Sequence, residues 1–179
     1  MNTRKLTFII IVTAVCLAIQ IAPRPPNVEF TSFFTFIIGL AEGAVAGAFF
    51  GSFVMLINGF ASPYGFGALN IPFQMAGMMI AGGLGGTYRK FSLNLNFSAK
   101  FSLETAVLGA LIAFLYDLIT NLGYGMQLVL TGESLYLALF TAIAFGAFFS
   151  LLHIVSNSVV FGVLFLPVMK ALNSSKVGG

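Results

Sequence analysis

The sequence predicts an all-α polytopic membrane fold: six transmembrane helices in one bundle, both termini cytoplasmic, and a bent arm ahead of the last helix. Three observations carry this expectation. Of 179 residues, 59% are hydrophobic and 7% charged, with a mean hydropathy of +1.02. A soluble domain holds about 25% charged residues, so this chain cannot cover a water-facing surface and a soluble monomer is excluded. The apolar residues fall in long runs broken by Pro, Gly and charge, and six helices of about 20 residues would use most of the chain. The basic residues, finally, sit in segments that alternate with those runs.

Helix 1 is expected over residues 6–22, after the basic start Arg4-Lys5 and before Pro23. It resembles a secretory signal, but it exceeds the about 7–15 residues of a signal core and no clean Ala-x-Ala site follows it. It is read as a retained span. Pro23 to Glu29 reads as a rigid extended loop, because each proline disfavours helix in the residue before it. Residues 30–60 are apolar apart from Glu42. One helix of that length would measure about 46 Å against a ~30 Å hydrocarbon core. The run is therefore divided into helix 2 (30–41) and helix 3 (43–60), with Glu42 solvated or partner-facing at the turn.

Residues 61–70 form a Pro/Gly loop, helix 4 covers 71–86, and a basic, Asn/Ser-rich connection leads to helix 5 at 103–122. Gly123 to Glu133 is expected as loop. The apolar stretch from Ser134 to Met169 is again too long for one straight span. Residues 134–145 are thus read as a separate arm, bent at Gly146, and 147–169 as helix 6. With six spans and the N-terminus inside, Arg4, Lys5, Arg89, Lys90, Lys100, Lys170 and Lys176 are cytoplasmic and Arg24 alone lies outside, which satisfies the positive-inside rule.

Several chemistries are missing. There is no G-x-x-x-x-G-K-[ST] phosphate loop; Gly82-Gly83-Leu84-Gly85-Gly86 lacks the lysine and suits close helix packing. One histidine and one cysteine exclude a structural zinc site and an internal disulfide, so neither a metal nor a resident cofactor is expected. No basic stripe with interleaved aromatics points to nucleic acid.

What remains is polar residues inside apolar spans. Asp117 is the only acid embedded in a span, and Asn121 shares its face at i+4. An embedded charge is costly and by default faces a cavity, a partner or a pathway; the alternative is a buried aspartate bonded to a helix end. His153 and Asn157 repeat the i, i+4 pattern on helix 6 at similar depth. Tyr116 and Tyr124 flank the first pair. Asn27, Glu29, Asn58, Tyr64 and Asn70 in the outer loops, with Gln74 opening helix 4, could complete an outward-opening pocket. Capping of helix 2 is the competing role for Asn27 and Glu29. On helix 1, Ala14, Ala18 and Ala22 stack on one face, as in membrane helices that associate closely; packing within the same chain would produce the same spacing.

With these residues in view, the chain resembles the S component, the substrate-binding subunit, of energy-coupling factor (ECF) vitamin transporters. The resemblance covers nearly the whole length. It rests on Ala14-x-x-x-Ala18, Pro26-Asn27-Val28-Glu29, Gly39-x-x-x-Gly43-x-x-x-Gly47, Pro72-Phe73-Gln74, Leu115-Tyr116-Asp117-Leu118-Ile119-Thr120-Asn121 and His153-x-x-Ser156-Asn157, in that order. It implies a six-helix subunit of a prokaryotic cell membrane that captures a vitamin or related micronutrient from outside. A transmembrane coupling subunit and two ATPase subunits would drive its uptake, which suits a chain with no phosphate loop. The alanine face of helix 1 would contact the coupling subunit. Asn27, Glu29, Tyr64, Gln74, Tyr116, Asp117, Asn121, Tyr124, His153 and Asn157 fall where the family forms its pocket. The helix 5 and 6 motifs resemble most those of members associated with cobalamin or with unassigned micronutrients. Two other classes stay open: a small membrane enzyme using Asp117 and His153 as acid and base, and a structural membrane partner.

Overall fold

A computed structural model describes residues 3–62, 68–91 and 99–177. Among them the chain forms six α-helices and no strand: α1 (Thr3–Ile21), α2 (Thr31–Glu42), α3 (Ala44–Ala61), α4 (Ile71–Phe91), α5 (Ala99–Leu130) and α6 (Leu135–Val177). A short 3₁₀ turn, Ala68–Asn70, leads into α4. Helices suit such a sequence because a helix satisfies its own backbone hydrogen bonds where no water is at hand. Four stretches, Thr3–Ile21, Ala44–Ala61, Lys100–Leu130 and Leu135–Leu172, are long and apolar enough to cross a bilayer. The molecule therefore has the make-up of a multi-pass membrane protein.

Successive helices alternate in direction. Lys5 near the start of α1 pairs with Glu42 at the end of α2 at 3.0 Å. Glycine sets the spacing of α2, α3 and α4: a Cβ on Gly39 would strike the Gly82 carbonyl, one on Gly82 the Gly47 carbonyl, and one on Gly85 the Phe36 carbonyl. Glycine stripes allow this backbone approach, and the packing role expected for Gly82 to Gly86 holds at Gly82, Gly85 and Gly86 but not at Gly83, which has open space around it. Gly43 differs. It has open space around it but a φ of 106°, a conformation L side chains rarely adopt, and it turns the chain from α2 into α3. Below these helices Phe33, Phe36, Phe101, Phe161 and Phe165 form the buried core. Phe33 and Phe161 meet edge to face 5.2 Å apart, as do Phe101 and Phe165 at 5.5 Å, while Phe161 and Phe165 stack at 6.5 Å.

Three expectations need correction. Helix 5 does not stop at residue 122 but continues to Leu130. Gly123 and Gly125 do not end it, because they let α5 lie against Phe73 and against Leu139 and Ala142. The separate arm at 134–145 does not exist: α6 is continuous for 43 residues, and Gly146 accommodates the Asn121 side chain instead of marking a break. At 1.5 Å per residue α6 spans about 64 Å, so the α5–α6 hairpin reaches well beyond a ~30 Å core. Pro25 to Val28, finally, is not extended. It closes a turn through Val28 N–H to Pro25 O at 3.2 Å, with Asn27 at φ 60°. Proline second and a positive-φ asparagine third is the type II pattern.

Candidate functional site

The turn before α2 brings the first groups into place. Both carboxyl oxygens of Glu29 accept the Ser32 amide, at 3.0 and 3.3 Å, and so cap α2. Glu29 Oε1 also lies 3.0 Å from His153 Nε2 and accepts Asn157 Nδ2 at 3.1 Å. The other ring nitrogen, His153 Nδ1, lies 2.8 Å from Asp117 Oδ1. Glu29, His153, Asn157 and Asp117 are all buried. The two proposed roles of Glu29 thus coincide: it caps a helix and joins a polar line through the bundle.

The charge on that line follows from counting protons. Two hydrogen bonds need at least two protons; with two, one imidazole and two carboxyl groups carry a net charge of −1. Glu29 lies in the loop ahead of α2. Burial works to raise its pKa, but the hydrogen bond and charge of His153, then the Ser32 and Asn157 donors, outweigh burial and bring it down to about 2.

Above this line a cavity opens in two lobes that share Asn27, Gln74, Tyr116 and Phe149. One lobe, about 470 Å³, is walled by Gln20, Arg24, Glu29, Asn58, Ser62 and His153 among others. The second, about 380 Å³, is walled by Asn70, Asp117, Thr120, Asn121, Tyr124, Phe145 and Ser150 together with the shared residues. Every helix contributes to these walls except α2, which holds Glu29 in place. Asn27 Nδ2 donates to Phe149 O at 3.0 Å and ties the first loop to α6 across the opening. Tyr116 packs edge-on to His153, ring centres 5.5 Å apart. Among the described residues, Asn58 Oδ1, Asn70 Oδ1, Gln74 Oε1 and Asp117 Oδ2 are buried with no hydrogen-bond partner. A buried acceptor left unsatisfied costs about 1–3 kcal/mol, and native structures contain few of them. Here four lie on residues of one cavity wall.

No family model, curated protein or solved structure matches the chain.

Of the candidate pocket residues, Asn27, Glu29, Gln74, Tyr116, Asp117, Asn121, Tyr124 and His153 line one lobe or both. Asn157 does not; it sits beneath, fully buried, donating to Glu29 and to His153 O at 3.3 Å. Tyr64 lies outside the described residues. Ala14, Ala18 and Ala22 are all exposed, while α1 packs inward through Phe8, Val12, Cys16 and Gln20. The alanine face is therefore not the face by which α1 packs against the other described residues. Glu42 is not freely solvated: its side chain is 14% exposed and paired with Lys5.

Sequence reasoning missed Gln20, Arg24, Phe149 and Ser150. Gln20 carried a usable signal, a polar side chain near the end of an apolar span, at i+4 from buried Cys16. Its Oε1 accepts the Thr31 hydroxyl at 2.9 Å. Phe149 carried none, since one phenylalanine among many looks like any lipid-facing residue.

Proposed function

We propose that the chain is the substrate-capture subunit of an ECF-type transporter, with α2 and α4 completing six crossings of a prokaryotic cell membrane. The observation that carries this reading is the cavity: two polar lobes inside an apolar bundle, with four buried acceptors on its lining residues that have no hydrogen-bond partner among the described residues. Ligand sites are concave, with a few converging polar groups. The lobes lie at the end of the bundle away from Lys5, Glu42 and Arg89, the end that basic-residue placement assigns to the outside. The exposed Ala14, Ala18 and Ala22 would meet the coupling subunit, and the two ATPase subunits would supply the energy. The enzyme alternative is weaker, because both nitrogens of His153 are held by carboxyl groups and neither is left to exchange a proton with a substrate.

Mass spectrometry of small molecules extracted from the purified protein tests the reading. A bound vitamin or related micronutrient is expected; a corrinoid would also absorb visible light. Gln74→Leu should weaken rebinding of that molecule by about tenfold or more, the order of one lost buried hydrogen bond. Absence of any copurifying or rebinding micronutrient would sink the proposal. Ala18→Trp should abolish uptake by the assembled transporter while ligand binding persists.

A further inference from the structure

The two lobes differ in charge. The lobe beside α1 contains Arg24 as well as Glu29 and His153. The lobe between α5 and α6 contains one charged residue, Asp117, and no base. Asp117 is 5% exposed. Its Oδ1 faces His153 Nδ1, and its Oδ2 has no hydrogen-bond partner among the described residues. Asp117 is the one carboxyl group in this lobe's wall, and no lysine, arginine or histidine stands in that wall to offset it.

The same wall is aromatic. Tyr116 and Tyr124 of α5 and Phe145 and Phe149 of α6 all line it. Aromatic faces attract cations through the ring quadrupole, and rings around a carboxylate are how proteins hold organic ammonium groups. An anionic group would meet Asp117 and be repelled. A neutral apolar group would leave Asp117 Oδ2 buried and unsatisfied, which is disfavoured.

We infer that the α5–α6 lobe is a subsite for an organic cation, an ammonium-type nitrogen of the bound molecule, held between Asp117 and the rings of Tyr116, Tyr124 and Phe149. The inference rests on the capture-subunit reading and narrows it: the substrate carries a positively charged nitrogen. The opposite lobe, with Arg24 in its wall, receives the remainder of the molecule.

The test uses the full chain in lipid nanodiscs and two probes of the same shape: choline and its uncharged isostere 3,3-dimethylbutan-1-ol. Choline should raise the unfolding temperature, and the isostere should not. Phe149→Leu should weaken the choline response about tenfold, and Asp117→Asn should remove it. Asp117 also bonds His153, so Asp117→Asn can fail to fold; Phe149, 41% exposed, then carries the test. A choline shift no larger than the isostere's, zero included, overturns the inference, as does a Phe149→Leu response equal to wild type. The two readings fail separately. An extracted micronutrient with no cationic nitrogen would end the cation subsite and leave the capture role standing. A choline-specific shift in a protein that carries and rebinds no micronutrient would do the reverse.

Discussion

The two ends of the bundle are built from different materials. Toward the Lys5–Glu42 end, α2, α3 and α4 lie backbone to backbone on Gly39, Gly47 and Gly82, with the rings of Phe36, Phe161 and Phe165 filling the space toward α6. Toward the other end Asn58 of α3, Gln74 of α4, Asp117 of α5 and His153 of α6 stand around two open lobes. The contrast teaches where each kind of interaction is used. Apolar chains gain no hydrophobic driving force from one another in lipid, so the closed end depends on close packing of small residues and rings. The open end keeps polar groups in an apolar setting, which is tolerated when they pair with one another or face a cavity.

The largest test of this contrast is Gly82→Leu. Its side chain would overlap the Gly47 backbone, where nothing flexible can yield, and a loss above about 4 kcal/mol is expected. Size-exclusion chromatography in detergent should show little folded monomer; a normal yield with unchanged melting would mean that the closed end tolerates separation. At the open end, His153→Ala removes the group between two buried acids and should cost about 3–5 kcal/mol. Thermal unfolding in nanodiscs measures it, and a wild-type melting temperature would show that Glu29 and Asp117 do not depend on His153.

Asn27→Ala is smaller. It deletes the bond to Phe149 O and leaves a positive φ on a residue less suited to it, together about 1–2 kcal/mol. Because this bond links the first loop to α6, faster ligand dissociation should accompany the loss; identical off-rates would separate the loop from the cavity. Lys5→Ala is the smallest. Lys5 is 54% exposed, and exposed ion pairs contribute about 0–1 kcal/mol, so melting should barely move. A large drop would show that this pair, and not the glycine seam, secures the closed end.

Much of the architecture was legible because composition and run length are local quantities. The bounds of α2 and α3 fall within one residue of expectation, since Glu42-Gly43 punctuates an apolar run that exceeds one span. The ends of α5 and α6 were not legible. Gly123 and Gly146 look like breakers in a sequence, and only the neighbouring Phe73 and Asn121 show that they are contact points inside helices.

The site divides along the same line. That Asp117 and His153 are anomalous follows from the sequence alone, because a charge in an apolar span stands out whatever surrounds it. Their i, i+4 partners could be placed on the same helix face by arithmetic. That Glu29 reaches His153, 124 positions away, required the turn at Pro26-Asn27 and the packing of α2 against α6. So did the orphaned acceptors, since whether a polar atom is satisfied depends on atoms from several helices at once. The sequence by itself determined a helical, membrane-suited chain with rare embedded charges, because hydrophobicity and helix periodicity are read residue by residue. Only the tertiary structure decided that those charges form one connected line beneath a two-lobed cavity, because hydrogen bonds hold over about 3 Å and only folding brings distant residues that close.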